Sequence, residues 1–152
     1  MSTDLNEGAQ DVAPEVLLAA VFELLGLLRS RLSQALREQD IGLSPMHMAV
    51  LKYCLKHPGS NQQMLAQALG RDKGQIARLI KEFEDQDLLT RAPDPADRRS
   101  YALHLTARAR SLCEQFAVEE ARLAAQAFAS LDTEARRTLL AQFATVQASL
   151  RG

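Results

Sequence analysis

Residues 71–81 of this chain hold Arg71, Lys73, Gln75, Arg78 and Lys81, with one acid, Asp72, among them. At about 100° per residue, Arg71, Gly74, Arg78 and Lys81 fall on one side of a helix, with Gln75 and Ala77 at its flanks. Ile76, Leu79, Ile80 and Phe83 fall on the other side. Cations on an exposed helical face bind phosphate, and arginine or glutamine can bond a purine edge with two hydrogen bonds. Arg71 and Gln75 are accordingly candidates for base contacts and Arg78 and Lys81 for backbone phosphates, with Lys73 a further DNA-binding candidate. Gly74 and Ala77 let the helix backbone approach a duplex closely. A solvated charged face would explain this helix alone. It does not explain a second feature, the loop tip Asp97-Arg98-Arg99 that follows in the chain.

Several elements must position these groups. Ser60 with Gln63 fits a capping box and opens a short helix that ends at Gly70. Amides near Ser60 and Asn61 would then offer a helix N-terminus to phosphate. The basic helix is predicted over 72–86. Residues 88–91 and 101–105 read as strands, the second with Tyr101, Leu103 and Leu105 inward and Ala102 and His104 outward. Pro93 and Pro95 stiffen the turn between them. Two short helices running into an arginine-tipped hairpin make a winged helix-turn-helix, which grips duplex DNA.

Ser44 and Pro45 start a further helix over 46–56. Met46, Val50 and Tyr53 lie on one side of it and Met48, Leu51 and Leu55 on the other, so it should be central. Pro14 opens a long helix with a stripe of Leu17, Val21, Leu24, Leu28 and Leu32, whose end Gly42 marks. Thr106 and Asp132 cap two more helices; the last has a narrow stripe of Leu139, Phe143, Val146 and Leu150. Narrow apolar stripes at both ends of the chain call for a partner. A second copy is the economical one, giving a homodimer matched to a palindromic operator. The expected architecture is mostly α with a small β-hairpin. Residues 1–12 read as a mobile arm and 13–152 as one domain. Within it, 13–40 and 106–152 form dimerisation helices around a DNA-binding lobe at 44–105.

The 152 residues suffice for one domain with a core; 47% are hydrophobic and 24% charged, and the net charge is −1. That near-neutrality is uneven. Residues 41–81 carry Lys52, Lys56, Arg71, Lys73, Arg78 and Lys81 against Asp72 alone, while acids crowd 82–87. Phosphates respond to the local field, because distant charge is screened. No segment resembles a signal peptide or a membrane span, so a cytoplasmic location is expected. Cys54 and Cys113 read as buried, reduced thiols. A redox role for Cys113 would need an exposed thiolate of low pKa. His47, His57 and His104 lack the spacing of a metal site. No nucleophile–base pair, phosphate-cradling glycine loop or carboxylate cluster points to an enzyme or a cofactor. The rival is a winged helix used only for protein contacts.

The chain resembles the MarR family (multiple antibiotic resistance regulators) of bacterial transcription factors. Residues 42–51, GLSPMHMAVL, are similar to the start of that family's second helix, and 63–69, QMLAQAL, to its third. Asp97-Arg98-Arg99-Ser100 matches its wing motif, an Asp and an Arg with one residue between. The resemblance implies that Arg99 enters the minor groove, with Arg98 as its variable neighbour. It also implies that Asp97 orders the loop and that Arg78 is the recognition-helix arginine. Repression of transcription is the family default. The resemblance further implies a small phenolic or aromatic effector between the dimer helices and the DNA-binding lobe. Candidate residues there are Arg29 or Arg31, as a cation for a carboxylate, with His47 and Tyr53. Packed core is the alternative for those two. Three positions depart from the family: Asp87 where Gly is usual before the first wing strand, Ala77 where Thr is common, and Ala109 where Gly often follows the wing.

Overall fold

The computed structural model describes residues 11–152. Six helices and one hairpin follow in the order α1 (Pro14–Glu38), α2 (Pro45–Lys56), α3 (Gln62–Leu69), α4 (Lys73–Asp85), β1 (Leu89–Pro93), β2 (Tyr101–Leu105), α5 (Ala107–Ala127) and α6 (Thr133–Arg151). The expected arm at 1–12 falls mostly outside the described residues; residues 11–13 are exposed and irregular.

The helix starts follow from side-chain caps. Ser44, Asn61, Asp72, Thr106 and Asp132 each accept a hydrogen bond from the amide three residues on. In α2 the cap is reciprocal: His47 Nδ1 accepts from the Ser44 amide at 2.9 Å, with an imidazole where glutamate is usual. Asn61, not Ser60, caps α3. Ser60 is drawn into the core one residue too early: its amide donates to the His57 carbonyl, its carbonyl accepts from the Leu103 amide at 2.9 Å, and it is buried. Gly70 ends α3 in the left-handed region at φ 60°, as expected. At the end of α1 that role falls to Asp40, at φ 54°, and not to Gly42.

The core lies where α2 meets α4, β2 and α5. Met48, Val50, Leu51 and Cys54 of α2 are buried against Leu65, Ile76, Ile80, Phe83, Leu103 and Phe116. Leu55, expected on a covered face, is instead exposed, while its neighbour Cys54 on the same turn is buried. The hairpin is antiparallel, pairing Leu89 with Leu105 and Pro93 with Tyr101. Leu103 and Leu105 point inward as the alternation requires, but Tyr101 does not. It stands opposite Pro93 at the outer end of the ladder, past the core, while small Ala102 is covered by its neighbours.

Outside this lobe the burial changes character. Leu36 is the buried residue of α1, and α6 has none. Val16, Leu17, Leu18, Val21, Phe22, Leu24 and Leu25 are all exposed, as are Phe143, Val146 and Leu150.

Asp87 takes φ 55° in the turn between α4 and β1, the place where the family usually has Gly. A left-handed residue with a Cβ is strained by about 1–2 kcal/mol, although Asp tolerates it better than most. Asp87→Gly is expected to raise the unfolding free energy by about 0.5 kcal/mol, and Asp87→Ala to lower it by about 1 kcal/mol. Urea unfolding measures both; equal losses in the two variants would show that the turn is not limited by its backbone angle.

Candidate nucleic-acid interface

The face of α4 follows from its buried side. Ile76, Ile80 and Phe83 are buried and Leu79 half-buried, which fixes the helix's rotation about its axis. Arg71, Lys73, Gly74, Gln75, Arg78 and Lys81 are then all exposed, as their spacing predicted. Among the described residues, none of these four cations sits in an ion pair. Their field is therefore directed outward, toward whatever anion the face meets. Gln62 of α3 donates from Nε2 to the Lys73 carbonyl at 3.1 Å, locking the two helices at their N-terminal ends.

The wing tip is ordered by its own acids. Asp97 Oδ1 accepts from the Arg99 amide at 2.9 Å, and the Asp97 carbonyl accepts from the Ser100 amide. Asp94 Oδ1 accepts from the Ala96 amide at 2.9 Å, while Ser100 Oγ donates to Asp94 Oδ2 at 3.1 Å. Sequence reasoning missed Asp94; an Asp before Pro95 in a turn was the available signal. Arg98 and Arg99 project from this frame, exposed. A concavity of about 250 Å³ lies between the helices and the wing, lined among others by Asn61, Gln62, Lys73, Arg99 and Tyr101. The structure thus brings Asn61, Lys73, Asp97 and Arg99 together. Ser60 is not with them: it is buried, and its amide is already bonded, so it presents no donor there. Its hydroxyl has no hydrogen-bond partner.

The three effector candidates separate. Tyr53 lines a cavity of about 320 Å³ at the junction of α1, α2 and α5, with Leu32, Lys52, Lys56, Phe116 and Glu120. His47 is not there: it closes the α2 cap, lies edge-on to Phe83 at 5.5 Å and places Nε2 3.5 Å from Glu82. Arg29 is exposed on α1 and does not line the cavity, nor does Arg31. The cations at hand are Lys52, paired with Glu120 at 2.6 Å, and Lys56. Both thiols are buried. Burial pushes Cys54 up to about 11 and raises Cys113 as well, so neither offers a reactive thiolate. Among the described residues no cluster could hold a metal, and no helix is long and apolar enough to cross a membrane.

A helix-turn-helix with a basic second helix and an ordered, arginine-tipped wing is a winged helix-turn-helix. Residues 41–100 match the model of the MarR family. A Thauera aromatica protein, named as a transcriptional regulatory protein for the hcr operon, is 34% identical over 65 residues. That match spans 43% of this chain and 39% of the relative's own length. A MarR transcriptional regulator from Methanosarcina mazei has the same fold, with a TM-score of 0.78 at 23% identity over 90% of this chain and 98% of its own. The transcriptional repressor CouR, solved on a 23-mer DNA duplex, superposes with a TM-score of 0.77 at 25% identity, covering 88% and 93%. MepR of S. aureus in complex with DNA gives 0.76 at 21% identity, covering 91% and 99%. The fold is the one these regulators share.

The Ala96 amide, and next the Ser100 hydroxyl, hold the Asp94 carboxyl below the ordinary carboxylate range. The order it gives the wing is complete above that range and is lost as pH falls through the lowered value. At neutral pH, Asp94→Ala is expected to speed hydrogen exchange of the Ala96 amide and its wing neighbours while leaving α2 and α5 unchanged. Identical wing exchange in the two proteins would show that Asp94 does not order the tip.

Proposed function

We propose that the chain is a homodimeric, sequence-specific regulator of transcription that binds a palindromic operator in duplex DNA. The observation that carries this reading is the unpaired basic face of α4 set beside a wing whose tip is ordered before any ligand arrives. In it, Arg71 and Gln75 read base edges in the major groove, with Gly74 allowing close approach. Lys73, Arg78 and Lys81 hold phosphates, and the N-terminus of α3 at Asn61 approaches a further one. Arg99 enters the minor groove, Asp97 holds its loop and Arg98 contacts the backbone. The likeness to CouR and MepR, both solved with DNA, supports the partner.

Repression is the proposed outcome, by occupation of the operator. Relief by a small aromatic or phenolic effector is assigned to the cavity beside Tyr53, where Lys52 or Lys56 would meet a carboxylate. Such a ligand must favour a dimer whose two α4 helices are wrongly spaced for successive major grooves. The second copy is proposed to cover α1 and α6, whose exposed apolar residues are too many for a free surface. In this scheme 13–40 and 106–152 hold the dimer, and 44–105 reads DNA.

A gel shift with the DNA upstream of the chain's own gene, repeated across salt, tests the reading. Steep salt dependence and a protected palindrome are expected; no shift at micromolar protein would favour a protein-interaction module. Arg99→Ala should weaken binding by about 1–3 kcal/mol, and Lys81→Ala should reduce the salt slope by about one unit uniformly across sequences. Light scattering should give twice the 16.8 kDa chain mass. Leu140→Glu, at a position 70% exposed in the single chain, should shift that mass toward one copy. A wild-type monomer at the concentration that binds DNA would rule out the dimer.

A further inference from the structure

The wing has to deliver Arg99 at a fixed distance from α4, yet it is a two-stranded hairpin, which is marginal by itself. Its inner end is secured: Leu103 exchanges backbone hydrogen bonds with Gly59 and Ser60, and the Thr106 hydroxyl donates to the Asp87 carbonyl at 2.7 Å. Its outer end is ordered only within itself, through Asp94 and Asp97. Between the two lies, among the described residues, one polar side-chain link from the wing to the recognition helix. Arg91 of β1 places its guanidinium 2.8 Å from the Glu84 carboxylate on the last turns of α4, and 5.9 Å from the centroid of the Tyr101 ring on β2. Both partners of the ion pair are about one-third exposed. The guanidinium thus spans three elements: α4, β1 and β2.

We propose that Arg91, held by Glu84, is a positioning residue that sets the angle of the wing against α4, and that it acts on DNA through Arg99. This rests on the DNA-binding reading above and deepens it. Two alternatives face it. Arg91 lines the concavity between α4 and the wing, so it could instead be one more phosphate contact. Or the pair could be an exposed ion bridge of no consequence.

The sign of one substitution separates these. Glu84→Gln removes a negative charge near the DNA. If Arg91 met phosphate, or if only the general field counted, freeing it would tighten binding. A brace predicts the reverse: the wing loses its angle and affinity falls by about threefold to tenfold. The loss should appear as weakened minor-groove protection with the major-groove footprint intact. Arg91→Lys keeps the charge but loses the flat fork that spans Glu84 and Tyr101, so it should also weaken binding. Arg91→Ala placed on Arg99→Ala should cost nothing further, because the contact it positions is already gone.

Hydrogen exchange on the free protein keeps the brace testable apart from DNA binding. In Glu84→Gln the amides of β1 and β2 should exchange faster while those of α2 and α5 hold. Unchanged wing exchange, or tighter DNA binding by Glu84→Gln, overturns the proposal. Faster wing exchange in Glu84→Gln, with a wild type that binds no DNA, would uphold the brace and reject the DNA reading instead.

Discussion

The structure depends on how α4 is held. A helix can be offered to a groove only if roughly half its circumference is fixed by protein, since otherwise its rotation is undefined. Ile76, Ile80 and Phe83 supply that half, all buried against the α2 layer. Because the burial is complete, small rotations of α4 would open a void or force a clash. The direction of Arg71, Gln75, Arg78 and Lys81 is thus a property of the core, not of those residues themselves. The same packing sets the turn that follows. The Leu88 amide reaches back to the Phe83 carbonyl at 2.8 Å, and only a left-handed residue at 87 allows that reversal. Asp87 is strained so that α4 and the wing can both dock.

The wing inherits its place from the same core. Leu88, Leu89, Leu103 and Leu105 fix its inner end, and hydrogen bonds from the 59–60 segment give β2 a partner on its free edge. That edge pairing also explains Ser60. Its backbone is required for the wing, so the residue is pulled inside and cannot present an amide to phosphate. The capping duty moves to Asn61, one residue on. A residue cannot both join the ladder and cap the helix, because the two tasks need different exposures.

What the sequence made legible is what local periodicity and capping chemistry encode. The six helices, the hairpin, the caps at Ser44, Thr106 and Asp132 and the basic face of α4 all follow from spacing at 3.6 or two residues. The shift from Ser60 to Asn61, the outward turn of Tyr101 and the exposure of Leu55 do not. Each depends on where an element ends relative to its neighbours, and periodicity carries no such information. The effector candidates show the same limit. Tyr53 faces the junction cavity because α2 is two-sided, as read. His47, two turns earlier on the same helix, lies on the side that meets α4, and its ring nitrogens are used by Ser44 and Glu82. Arg29 lies off the cavity for a different reason, since no periodicity argument says which face of α1 the lobe will cover.

The exposure of Arg29 points to the nature of α1. From Val16 to Leu25 it is apolar on nearly every side, and in a single chain those sides are open. A helix of this composition is stable when covered all round. The buried part of α1 is near its C-terminal end, at Leu36, close to the DNA-binding lobe; the uncovered part is distal. In α5 the order is inverted: Ala109, Cys113 and Phe116 are buried near its start, while its later turns stand with α6 outside the core. The chain therefore divides into a lobe that satisfies its own core and a distal region that does not. A rigid recognition helix joined to an unsatisfied surface has its spacing from a second such helix set wherever that surface is covered. In the dimer proposed above, the junction of α1, α2 and α5, where Tyr53, Lys52 and Lys56 line a cavity, would lie between the two requirements. A molecule lodged there would act on the distance between two α4 helices without touching either.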